Sequence, residues 1–126
     1  MKFKKLSKIF LLASSLSLMI GCANTGKVNV EEDKLKVSLI LDEGGVNDAS
    51  FNQSAWEGAL EAKEKYGVEV NYIEAKQESD YASNIESAID QEADLIIGVG
   101  FKLANTIEKA AKLYPEQKFA AIDCSY

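Results

Sequence analysis

The residues able to do chemistry concentrate between positions 42 and 52, which read Asp42-Glu43-Gly44-Gly45-Val46-Asn47-Asp48-Ala49-Ser50-Phe51-Asn52. Carboxylates and amides exchange hydrogen bonds with hydroxyls and ring nitrogens, and an aromatic ring offers a stacking face. A glycine-rich loop that opens a helix is also the geometry of a phosphate cradle. Neither the GxGxxG nor the GK[ST] spacing is present, and Asp42, Glu43 and Asp48 would repel an anion. The residue types suit a neutral polar ligand better. The same string also serves as a turn, with glycines setting positive φ and Asn or Asp capping the helix.

The rest of the composition removes competing chemistries. The 126 residues hold no His, and all 14 basic residues are lysine. Absence of His excludes Ser-His-Asp triads, Cys-His dyads and His-containing zinc sites. Absence of Arg excludes bidentate clamps on carboxylate or phosphate. With 20 acidic residues the net charge is −6, which argues against nucleic acid as partner, since phosphate binding needs a basic face. Two cysteines make neither a disulfide framework nor a four-Cys metal site. The carboxylates show no metal-ligand spacing, so no metal or cofactor is implied.

The first 21 residues read as an address. Lys2, Lys4, Lys5 and Lys8 precede the apolar run of Ile9 to Ile20, followed by Gly21 and Cys22. Twelve helical residues rise about 18 Å against a hydrocarbon core of roughly 30 Å, too short to span it. This layout is that of a secretory signal. The string Leu18-Met19-Ile20-Gly21-Cys22 resembles a bacterial lipobox, with Met19 standing where that motif carries leucine. The resemblance implies a lipid on Cys22 and an anchor on the extracytoplasmic face of the cell membrane. Cleavage before Cys22 would remove four lysines and no acids, leaving 105 residues and moving the charge from −6 to −10. Residues 22–35 are polar without a period and read as a flexible tether.

Residues 36–126 alternate strand and helix. Strands are expected at Lys36–Leu41, Val68–Ile73, Leu95–Val99 and Lys118–Ile122, the third buried on both faces. Helices are expected over Ser50–Tyr66, Asp80–Asp90 and Leu103–Tyr114. The first would bury Phe51, Ala55, Trp56, Ala59 and Leu60, the second Tyr81, Ile85, Ala88 and Ile89, and the third Leu103, Ile107, Ala110, Ala111 and Tyr114. Ser50 with Gln53 forms a capping box, Gly67 a C-terminal stop, and Ser79 a second N-cap. The order βαβαβαβ predicts an α/β fold, a doubly wound parallel sheet in strand order 2-1-3-4. Ligands in such sheets bind beyond the carboxyl ends of the strands, near the switch in strand order. Three segments reach that edge: 42–51, 100–102 and 123–126.

On these residues the chain resembles the basic membrane protein (BMP) family of substrate-binding lipoproteins, which includes purine nucleoside receptors of ABC importers. The string DEGGVNDASFNQSAWEG at 42–58 carries the resemblance. It continues through Asp80-Tyr81, Asn84-Ile85, the run from Asp94 to Phe101, and Ala121-Ile122-Asp123. The resemblance implies the N-terminal lobe of a two-lobed, type I periplasmic-binding-protein fold that closes on a nucleoside. It further implies that Asp42 hydrogen-bonds the base, that Phe51 stacks on it, and that Asp123 contacts the ligand. Asn47 and Asp48 match the motif and either touch ligand or hold the loop. Phe101 is placed at the pocket, although it could pack under the third helix. Phe51 could likewise be a core aromatic. Trp56 is read as core, and Cys124 as an unreactive structural thiol.

The leading expectation is a receptor that captures a nucleoside, most simply a purine one, and hands it to the permease subunits of an ABC importer. No bond chemistry is needed for that. The alternatives are a sugar or other small-molecule receptor or sensor of the same fold, and a nucleoside hydrolase using Asp42 and Asp48. Family members are far longer, so the second lobe is expected to be absent, with truncation after the fourth strand, impaired binding and an open sheet edge there.

Overall fold

The computed structural model describes residues 33–125; the proposed signal segment, the lipidation site Cys22 and most of the 22–35 tether lie outside them. The chain runs β1 (Lys36–Leu41), α1 (Phe51–Tyr66), β2 (Glu69–Glu74), α2 (Tyr81–Asp90), β3 (Leu95–Val99), α3 (Ala104–Leu113) and β4 (Lys118–Ile122). Short 3-10 turns at Glu78–Asp80 and Phe101–Leu103 lead into α2 and α3. The four strands are parallel and ordered β2-β1-β3-β4, as the alternating sequence requires.

Side chains alternate across the strands and divide the core in two. Ile40 and Ile96 face α2 and α3, packing with Tyr81, Ile85, Leu103 and Ile107. Leu39, Leu41 and Val99 face α1, packing with Ala55, Trp56 and Ala59. Trp56 meets Tyr72 of β2 edge-to-face, with ring centroids 4.8 Å apart. Each fully buried Ile or Leu contributes about 1.5–3 kcal/mol.

Several details depart from the expectation. The buried stripe of α1 begins at Asn52, which is 1% exposed, while Phe51 and Leu60 point outward. Ala111 of α3 is likewise exposed. Ser50 makes no side-chain cap. Ser79 lies within the 3-10 turn, where Asp80 instead accepts from the Lys76 amide at 3.0 Å. Gly67 does stop α1, at φ 72° with its N–H on the Lys63 carbonyl. Strand β3 is only partly enclosed, because among the described residues α1 alone covers one face of the sheet and leaves Leu95 and Ile97 half-buried. An apolar groove of about 330 Å³ remains there, lined by Leu35, Val37, Leu39, Ala59, Ile97 and Ile122, among others. Among the described residues β4 pairs with β3 alone and forms an open edge. None of the described helices is long and apolar enough to cross a membrane.

Candidate functional site

Strand order reverses between β1 and β3, so the crevice at their carboxyl ends is where a ligand is expected. Asp42 stands at the end of β1. Its Oδ1 accepts from the Gly44 amide at 3.0 Å and from the buried Asn52 amide at 2.7 Å. Its Oδ2 takes no donor from the described residues and lies 3.9 Å from where a side chain on Gly100 would begin. Gly100 follows β3 at φ 94°, a conformation that disfavours any other residue, and its N–H bonds the Ile122 carbonyl. Asp42, the Phe101 turn and the exit of β4 are thereby brought together.

The loop between β1 and α1 satisfies its own amides in turn. Gly45 N–H bonds the Asp42 carbonyl, and Val46 N–H bonds Glu74 Oε1 at 2.7 Å. Gly45 sits at φ 70° with Glu74 Oε1 3.2 Å from the position of a Cβ, so the turn favours glycine. Asp48 then caps α1: Oδ1 accepts from Ser50 and Gln53 at 2.8 and 3.0 Å, and Oδ2 from Asn52 at 3.1 Å. Ala49, held at φ 52°, turns the chain so that Asp48 reaches back over these three amides. Burial acts to raise the Asp48 carboxyl, but the amides of Gln53, Ser50 and Asn52 hold it below its ordinary value of 3.8.

The other expected residues lie on the same edge with freer side chains. Phe51 is 55% exposed at the start of α1, and Phe101 is 69% exposed after β3. Neither is a core residue, which leaves both rings available for stacking. Asn47 is exposed in the loop. Asp123 is exposed at φ 60°, a strained backbone for a non-glycine residue directly after a strand. Cys124 is half-buried.

Sequence reasoning missed Asn52 and treated Glu43 only as an obstacle to anions. Asn52 carried a signal: it shares a helix face with Ala55, Trp56 and Ala59, and a polar residue on such a face needs a buried partner. Glu43 Oε2 accepts from the Tyr81 hydroxyl at 2.9 Å and from Lys102 Nζ at 3.1 Å.

A parallel sheet presenting carboxylates and unpacked aromatics at the carboxyl edge of its switch point is the lobe architecture of a solute-binding protein. Comparison with known proteins narrows the class. The family model for ABC transporter substrate-binding proteins of the PnrA-like (Bmp) type matches residues 34–126, and the chain belongs to that family. It is 40% identical over 92 residues to a CD4+ T-cell-stimulating antigen of Listeria monocytogenes, covering 69% of this chain and 26% of that protein. It is 35% identical over 133 residues to the ABC transporter nucleoside-binding protein BmpA of Lactococcus lactis, covering 98% and 37%. A solved ABC transporter solute-binding protein of Aeropyrum pernix superimposes with TM-score 0.67 at 39% identity, over 72% of this chain and 25% of that one. The chain thus spans about a quarter to somewhat over a third of the length of these relatives.

Proposed function

We propose that the chain captures a nucleoside, of the purine class, for an ABC importer. The observation that carries this reading is Asp42, pinned through Oδ1 by Asn52 and Gly44 while Oδ2 lies beside Gly100. A carboxylate held in this way can accept from a base N–H without moving. Phe51 and Phe101 supply exposed rings for stacking, and Asp123 and Asn47 supply further polar contacts. Asp48 holds the loop. Both of its oxygens are committed to backbone amides, so Asp48 is not free to serve as the second carboxylate of a hydrolase. The family membership and the nucleoside-binding name of the Lactococcus lactis relative support the ligand class. Capture takes place on the extracytoplasmic face of the membrane, with Cys22 as the lipidated anchor and permease subunits as the partners.

Isothermal titration of the full chain with inosine, guanosine, adenosine and ribose, run beside a product assay, tests the proposal. The described residues would touch a ligand from one side, so the dissociation constant expected of them is weaker than micromolar, which corresponds to ~−8 kcal/mol. Purine nucleosides should bind, ribose alone should not, and Asp42→Asn or Phe51→Ala should weaken binding. Ribose binding without nucleoside preference, or base release without a stoichiometric complex, would overturn the reading. Palmitate labelling that survives Cys22→Ala would refute the anchor.

A further inference from the structure

Glu43 lies between the ligand-facing Asp42 and the glycine pair, yet its side chain turns away from the loop. One oxygen, Oε2, receives two donors from two other segments: the Tyr81 hydroxyl at 2.9 Å and Lys102 Nζ at 3.1 Å. Tyr81 begins α2 and is 2% exposed, so its hydroxyl is fixed by core packing. Lys102 is the middle residue of the 3-10 turn Phe101–Leu103. The far side of that turn is secured by Leu103, which is fully buried, and its near side by the Gly100 N–H on Ile122. Phe101, at 69% exposure, has little packing of its own to fix it.

We propose that Glu43 is a positioning residue: held by Tyr81 and Lys102 together, it fixes the Phe101 turn beside Asp42 so that ring and carboxylate meet one ligand. The proposal rests on the nucleoside reading for the identity of that ligand. The charges around the cluster agree with it. Asp42 and Glu78 also face Tyr81 and Lys102, so the Lys102 ammonium sits among three carboxylates and is held above its ordinary range, first by Glu43. The Glu43 carboxyl is held below its ordinary range by its own backbone amide and, against burial, by Tyr81 and Lys102.

The test uses the full chain and four variants: Glu43→Ala, Glu43→Gln, Tyr81→Phe and Lys102→Met. Amide hydrogen exchange is followed by NMR without ligand, and binding is then measured by titration with inosine. The Leu103 amide, which bonds the Gly100 carbonyl, reports the turn. In Glu43→Ala its exchange should quicken by about two- to fivefold, the range expected of a partly exposed ion pair, with Ile85 and Ile96 unchanged. The inosine dissociation constant should rise by a similar factor. Glu43→Gln keeps an acceptor for Tyr81 but loses the charge for Lys102, so it should fall between wild type and Glu43→Ala in both readouts. Tyr81→Phe, which leaves the ring in the core, and Lys102→Met should each reproduce part of the effect. Unchanged Leu103 exchange in Glu43→Ala overturns the positioning role whatever the chain binds. Faster exchange with an unchanged dissociation constant overturns it as well. Faster exchange in Glu43→Ala, with a wild-type chain that binds no inosine, sustains the fixing of the turn and overturns the nucleoside reading instead.

Discussion

Gly98 lies mid-strand in β3, where α3 comes closest to the sheet. A Cβ there would lie 2.6 Å from Ile107 Cγ1, 3.0 Å from its Cδ1 and 3.4 Å from Leu103 Cβ. Carbon atoms meet at about 3.5–4.0 Å, so Gly98→Ala forces a retreat of roughly 0.9 Å on Ile107. Overpacking of this kind costs about 1–3 kcal/mol. The lower chain entropy of alanine in the unfolded state offsets about 0.4–1 kcal/mol, leaving a net loss of about 0–2.6 kcal/mol. Ile107→Ala alone should cost about 2–5 kcal/mol through the cavity it opens. The double variant removes both clashing carbons and lets the new methyl enter that space, so it should lose at least ~1 kcal/mol less than the two single losses combined. Urea unfolding of the full chain, followed through the fluorescence of Trp56 against Tyr72, measures all four corners. Additivity within ~0.5 kcal/mol would show that the strand and helix are not in contact as described and would refute the reasoning. Because Leu103 closes the Phe101 turn, Gly98→Ala should also weaken inosine binding.

Three further outcomes are expected. Asn52→Ala removes a buried donor from a carboxylate and should cost about 1–3 kcal/mol in urea unfolding while weakening nucleoside binding. The Asp48 carboxyl is held below 3.8, so its contribution to stability is complete above that unfolded value and disappears as pH falls through the lower folded one. The thermal midpoint should therefore drop in acid, and Asp48→Asn should lower it at neutral pH while flattening that part of the profile. Ser38 is 1% exposed and its hydroxyl has no hydrogen-bond partner among the described residues, so Ser38→Ala should raise stability by up to about 1 kcal/mol.

Local pattern carried much of the fold into view. The bounds of β1, β3 and β4 follow from apolar runs between turn residues, and the strand order follows from the handedness of parallel crossovers. The cap of α1 was legible in type but not in position. Ser50 occupies the rule's place, but Ala49 adopts a positive φ that the rule does not anticipate, and Asp48 swings over the helix end instead. Ala55, Trp56 and Ala59 of the α1 stripe face inward as their spacing predicts, but Phe51 fits the apolar period while Asn52 is the residue that turns inward. The link of Glu43 to Tyr81 and Lys102 was out of reach. It joins positions 38 and 59 residues apart, and no period connects a loop carboxylate to a helix start and a turn lysine.

The groove beside α1 has a practical consequence. Environment-sensitive dyes such as anilinonaphthalene sulfonate brighten on apolar surface that is open to water, and their signal is commonly taken to mean a loosened, molten state. Here the described residues present such a surface along Leu35, Val37, Ile97 and Ile122. Dye binding at neutral pH is therefore expected of the native protein. A loosened state would be diagnosed instead by loss of the fixed asymmetry around Trp56 and Tyr72 in near-ultraviolet circular dichroism.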